Sequence, residues 1–221
     1  MALIYWLGLQ FEYLPSDLKS LDTEQFHILN IFQITIFVGF ALALKKKFTL
    51  KRFRFRKKIS AEQIFLAFAG LVGVHLVSGL LMSLLGLEVK QFEEFEIKKI
   101  VNERPLLFFC MVSIVAPVYE EFIFRGLILR SLWPCLQKNK RLFQVLAVSL
   151  SSFAFAVFHK GAELSVFLLA LYLSFLAIKT AGLTLPVIMH VTQNTIASLT
   201  LIYHDKLGIE KLFYFTVFPF G

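Results

Sequence analysis

Three short runs hold residues able to do chemistry. The first, Val118-Tyr119-Glu120-Glu121-Phe122-Ile123-Phe124-Arg125, sets two adjacent carboxylates and an arginine in an apolar stretch. On a helix, Glu121 and Arg125 are four apart and share a face, so they can pair and offset each other's cost of burial. Glu120 is turned about 100° from Glu121 and is left without that arginine as its natural partner. A spare carboxylate in a low-dielectric setting suits general base or acid work. The second run, Phe155-Ala156-Val157-Phe158-His159, again puts its outer residues on one helical face. So does the third, His190-Val191-Thr192-Gln193-Asn194. Taken singly, each has an ordinary explanation: glutamates at a water interface, a histidine at the end of a span, a His–Asn contact between helices. Together they supply Glu, His, His and Asn on three separate apolar segments. That inventory can hold a water, polarise a carbonyl and stabilise an oxyanion.

The elements that must position these groups are membrane helices. The chain has 221 residues, 57% hydrophobic and 17% charged, with 26 Phe, and its mean hydropathy is +0.72. A soluble domain is about half apolar and a quarter charged, so an ordinary soluble protein is excluded. Apolar runs long enough to cross a bilayer, about 20 residues each, fall at 26–44, 61–87, 105–133, 142–158, 164–178 and 185–203. Of the shorter ones, 1–9 reads as interfacial or as packing on the bundle, and 212–220 as a half-span or interfacial segment. The expected fold is all-α, a polytopic transmembrane bundle of about six to eight helices. It forms a single membrane domain over 1–221, since only helices satisfy their own backbone in lipid here. Pro117 is placed to kink its helix just before the glutamate pair.

The net charge of +8 is concentrated: nine of the 23 basic residues lie between Lys45 and Lys58, directly after an apolar run. A short basic loop beside a span is a cytoplasmic-side signature, so the loop is assigned to the cytoplasm and nucleic acid is rejected as a partner. Two cysteines, Cys110 in an apolar run and Cys135 in a polar break, make no disulfide framework. His75, alone in the second span, reads as an interhelical hydrogen bonder, and Lys179 as snorkelling. Ser149, Ser151 and Ser152 read as helix-contact residues; no G-x-S-x-G elbow supports a serine nucleophile.

In order along the chain, Glu120-Glu121-x-x-x-Arg125, Phe155-x-x-x-His159 and His190-x-x-x-Asn194 resemble the three motifs of the CAAX protease and bacteriocin-processing family. This family, also called the abortive-infection family, includes the type II CAAX prenyl endopeptidases. Phe124-Arg125-Gly126 and Pro186 look like family usage too. The resemblance covers about residues 100–200, the motif core. It implies a membrane-embedded endopeptidase with a cavity open to the cytosol. By matching, Glu120 is the general base and His159 helps it to orient or activate a water. His190 and Asn194 hold the oxyanion, Glu121 and Arg125 form a structural pair, and Phe155 supports the site. Family members have also been described as metalloproteases. Glu120, His159 and His190 are then the metal ligands and zinc the cofactor, a donor set whose types suit a catalytic zinc.

The implied partners are a peptide or membrane-protein substrate, prenylated in the named family activity, and the lipid bilayer. The implied location is the plasma membrane of a bacterium or the endoplasmic reticulum of a eukaryote. Two other functions compete. One is a non-catalytic family member acting as a membrane scaffold or bacteriocin-immunity factor, which intact motifs argue against. The other is a transporter, which predicts inverted repeats that the chain lacks. One expectation strains the reading. His190 lies about 8 Å, and His159 about 25 Å, along its helix from the cytoplasmic side at 1.5 Å per residue, so straight vertical helices would separate them.

Overall fold

The computed structural model describes residues 58–86, 101, 105–132, 140–157, 159 and 163–207. The chain divides into two units, Met1–Arg52 and Phe53–Gly221, and every described residue lies in the second. The span expected at 26–44, the short apolar runs at 1–9 and 212–220, Cys135 and all of the 45–58 loop except Lys58 lie outside the described residues.

Five helices are described, with no strand among the described residues. Helix α1, Ala61–Leu84, begins on a capping box: Ser60 Oγ accepts from the Gln63 amide and Gln63 Oε1 accepts from the Ser60 amide, both at 3.1 Å. These bonds satisfy donors that the first turn leaves open. Helix α2 spans residues 105–132 and changes pitch along its length. It runs as α-helix over Pro105–Cys110, Ala116–Glu121 and Leu129–Leu132, with wider π-helical turns at Met111–Val115 and Phe122–Ile128 between them. Helices α3, Lys140–Val157, α4, Glu163–Thr180, and α5, Thr184–Leu207, complete the set. Pro186 falls in the first turn of α5, where its missing N–H costs nothing.

Three of these helices are long and apolar enough to cross a membrane: Ala61–Leu84, Pro105–Ile128 and Thr184–Tyr203. Gln144–Val157 and Leu164–Thr180 are apolar but shorter. Helices thus occupy five of the six anticipated spans, and the sixth falls outside the described residues.

Helix α4 is the centre of the packing, because its two buried faces serve two clusters. Leu169, Leu173 and Leu176, at helical spacing, pack with Ala67 and Leu71 of α1 and Leu185 and Met189 of α5. Val166 and Ala170, on another face, pack with Phe124 of α2 and Phe155 and Ala156 of α3. The outer faces stay apolar, with Phe65, Leu76, Leu80, Phe153 and Leu84 more than half exposed. Such a surface suits lipid and not water.

The α4–α5 turn closes as a Schellman motif. Gly182 N–H donates to the Ala177 carbonyl at 3.2 Å and Ala181 N–H to Ile178 at 3.1 Å. The motif needs a left-handed residue at the position after the cap, and Ala181 takes it with φ 49°.

Candidate active site

The pairing expected from helical spacing is made. Arg125 Nη1 donates to Glu121 Oε1 at 2.8 Å, with neither side chain exposed. Two buried charges survive in an apolar bundle only if further partners take up their remaining capacity. Arg125 Nη2 donates to the Ala170 carbonyl of α4 at 3.0 Å, and the guanidinium sits 4.6 Å over the Phe155 ring. Glu121 Oε1 also accepts from His190 Nδ1 at 2.9 Å. The pair therefore ties α2 to α4 and α5 and sets the His190 ring.

Glu120 points another way and is only partly buried. Its Oε2 lies 3.6 Å from His190 Nε2 and 3.9 Å from His159 Nε2. The ring tautomers follow from what faces the other nitrogens. A carboxylate accepts, so the proton of His190 sits on Nδ1 towards Glu121. A carbonyl accepts, so His159 Nδ1 donates to the Phe155 carbonyl at 2.8 Å. In the neutral rings both Nε2 lone pairs then face the Glu120 carboxylate. Three acceptors at this spacing cannot bond one another; a water between them has two hydrogens and can donate to two of the three. His159 lies beyond the end of α3, and burial holds its imidazole below the usual histidine range, against the pull of the Glu120 carboxylate and the Phe155 carbonyl.

The structure brings the two histidines together against the depth count: their Nε2 atoms lie 3.6 and 3.9 Å from one Glu120 oxygen, so the separation expected of straight vertical helices does not hold. Helix α3 runs to Val157, and the His159 amide donates three residues back to the Ala156 carbonyl at 2.8 Å. The imidazole stacks on Phe155 with ring centroids 4.3 Å apart. The two rings thus meet on one face, the i, i+4 placement that helical spacing gives. Phe155 itself is buried, meets Phe124 edge-on at 4.9 Å and His190 at 5.7 Å, and forms the floor between the two histidines.

Asn194 is buried on α5, one turn beyond His190. Its Nδ2 donates to the Val112 carbonyl of α2 at 2.8 Å. Asn194 Oδ1, Glu121 Oε2 and Arg125 Nε are buried without a hydrogen-bond partner.

Among the described residues, no three His, Cys, Asp or Glu side chains are grouped so that they could hold a metal ion. Glu120, His159 and His190 have donor types that suit zinc but are not gathered as a ligand set. No step is therefore derived through a metal.

The contact of Ser113 with α5 lay beyond sequence reasoning. Ser151 makes the helix contact expected of it: its Oγ donates to the Phe124 carbonyl at 2.9 Å. Both contacts involve the π-helical turns, and the signal was a hydroxyl residue inside an apolar run. His75 Nε2 pairs with Gln193 Oε1 of α5 at 2.5 Å, the interhelical bond its lone position implied.

The described residues thus form an all-helical, apolar-faced set with a partly buried Glu–His–His cluster over a buried ion pair. Residues 102–196 match the type II CAAX prenyl endopeptidase Rce1-like family. Over 97 residues the chain is 29% identical to the membrane-embedded CAAX protease MroQ of Staphylococcus aureus (strain USA300), a match covering 43% of this chain and 39% of that protein. The chain thus spans about two fifths of the length of the curated relative it matches. No solved structure matches it. The motif-bearing segment is thus similar to the Rce1-like type II CAAX prenyl endopeptidases and to a membrane-embedded CAAX protease.

Proposed function

We propose that the protein is a membrane-embedded endopeptidase that hydrolyses a peptide bond near the membrane with a water activated by Glu120 and His159. The observation that carries the reading is the convergence of His159 Nε2 and His190 Nε2 on one Glu120 oxygen, at 3.9 and 3.6 Å. In this reading the Glu120 carboxylate takes a proton from the water as its oxygen attacks the substrate carbonyl carbon. The neutral His159 accepts the water's other hydrogen and so aims its lone pair. The carbonyl oxygen becomes an oxyanion, which takes hydrogen bonds from the second Asn194 amide hydrogen and from Nε2–H of His190, a ring that enters this step as the imidazolium with Nδ1–H on Glu121 and leaves it unchanged. The tetrahedral centre collapses, the C–N bond breaks, and Glu120 returns its proton to the leaving amine. Glu121 and Arg125 stay out of the reaction and hold His190 in place.

The relative's printed name and the family both point to CAAX substrates, so the first substrate to test is a farnesylated CAAX peptide. The protein is placed as an integral multi-pass membrane protein with the basic 45–58 loop in the cytoplasm, following its charge. The test compares host membranes carrying wild type or Glu120→Ala at equal expression, with the farnesylated peptide added. New peptide termini are mapped by mass spectrometry. Termini found only with wild type support a protease and name its substrate class. Identical maps with both proteins folded contradict the proposal and favour a scaffold or immunity factor.

A further inference from the structure

We infer that Ser113 is a positioning residue for Asn194, acting from the π-helical turn Met111–Val115. The inference rests on the protease reading above, in which Asn194 donates to the oxyanion.

The argument begins with Pro117, which has no N–H. At the turn before it the helix adopts the wider register, and the Ala116 amide donates five residues back to the Met111 carbonyl. In that register the next carbonyl, Val112, would take its bond from the nitrogen of residue 117, which is proline. The orphaned carbonyl is taken by Asn194 Nδ2 at 2.8 Å. A carbonyl only accepts, so this contact settles which end of the Asn194 amide faces α2. One Nδ2 hydrogen is committed to Val112, and the other is the one left for an oxyanion.

Ser113, the next residue, holds the same asparagine by its backbone. Its Oγ donates across to α5, the one hydrogen shared between the Ser198 hydroxyl at 2.9 Å and the Asn194 carbonyl at 3.3 Å. Ser113 has no exposed surface, and Asn194 and Ser198 are 2% exposed each, so water cannot substitute for these bonds. Consecutive residues of the π-helical turn thus grip Asn194 at its side chain and its main chain. That fixes both the height of α5 and the plane of the amide. Ser113 touches no reacting group, so its influence must run through Asn194. An oxyanion donor works in the transition state and not in the ground state. Loosening its seat therefore lowers kcat and leaves KM alone.

The test is a double-mutant cycle with Ser113→Ala and Asn194→Ala, read on the peptide that wild type cleaves. Ser113→Ala removes one oxygen and adds no bulk. Misorienting the donor is expected to lower kcat about 10- to 100-fold, with KM unchanged. In the Asn194→Ala background the same substitution is expected to do nothing further. An equal fall in both backgrounds, or a rise in KM with kcat intact, overturns the inference. A second readout needs no activity. The chain has four asparagines, so protein labelled with 15N-asparagine gives few side-chain amide signals, and Asn194→Ala identifies one of them. That signal is expected to shift in Ser113→Ala while the other three stay. An unmoved Asn194 signal overturns the inference even if no substrate is found. Absence of cleavage by wild type counts against the protease reading alone.

Discussion

Arg125 shows why single residues matter here. It is buried with its charge, and its bonds reach Glu121 on its own helix and a carbonyl on α4. Removing it leaves Glu121 as a buried carboxylate with His190 as its remaining partner. Breaking a buried pair costs about 3–5 kcal/mol, so Arg125→Leu should lower the unfolding temperature in detergent strongly. A variant as stable as wild type would show that the pair is not a structural tie. Ala181 makes the opposite case. Its left-handed backbone costs an alanine about 1 kcal/mol, and glycine takes that conformation freely. Ala181→Gly should therefore raise stability by up to about 1 kcal/mol in thermal or denaturant unfolding; a loss would mean that the turn tolerates alanine without strain. At this scale the i, i+4 rule made the Glu121–Arg125 pair legible in the sequence. The same rule put Phe155 and His159 on one face; the meeting of His159 and His190 at Glu120 was not legible, because counting along straight helices sets them about 17 Å apart in depth.

Among the elements, the apolar runs marked five helices to within a few residues at each end. Length and hydrophobicity are the properties a bilayer selects, and both are written in composition. The wider turns of α2 were hidden. Pro117 announced a disturbance, but whether it resolves as a kink or a π-helical turn depends on which neighbour can feed the carbonyl it orphans. The partner, Asn194, lies 82 residues away. Helix packing was equally indirect. Tyr172 of α4 donates its hydroxyl to the Ala67 carbonyl of α1. Gly70 makes room for it: a Cβ at that position would stand 2.7 Å from the Tyr172 hydroxyl oxygen and 2.9 Å from its ring. Gly70→Ala must push the ring off its hydrogen bond. Overpacking of this kind costs about 1–3 kcal/mol. The substitution should loosen α1 from α4, seen as faster hydrogen exchange in α1. Unchanged exchange would show that the ring moves aside freely.

For the whole molecule, the described residues form a helical bundle that turns Glu121 and Arg125 inward beneath the site and leaves apolar faces outward to lipid. Helix α4 organises it, holding one leucine face against α1 and α5 and another face behind the Arg125 and Phe155 pair. Orientation rests on charge: a cysteine introduced at Lys58, with Cys110 and Cys135 replaced, should react with an impermeant maleimide only after the membrane is opened. Labelling of intact cells would reverse the assignment. The central claim is that Glu120 is the base. Its most direct measurement is the single-turnover cleavage rate of purified wild type and Glu120→Gln on the same peptide, with both confirmed folded. The account predicts a fall of about 10²- to 10⁴-fold at unchanged peptide affinity. Equal rates for the two proteins would contradict it.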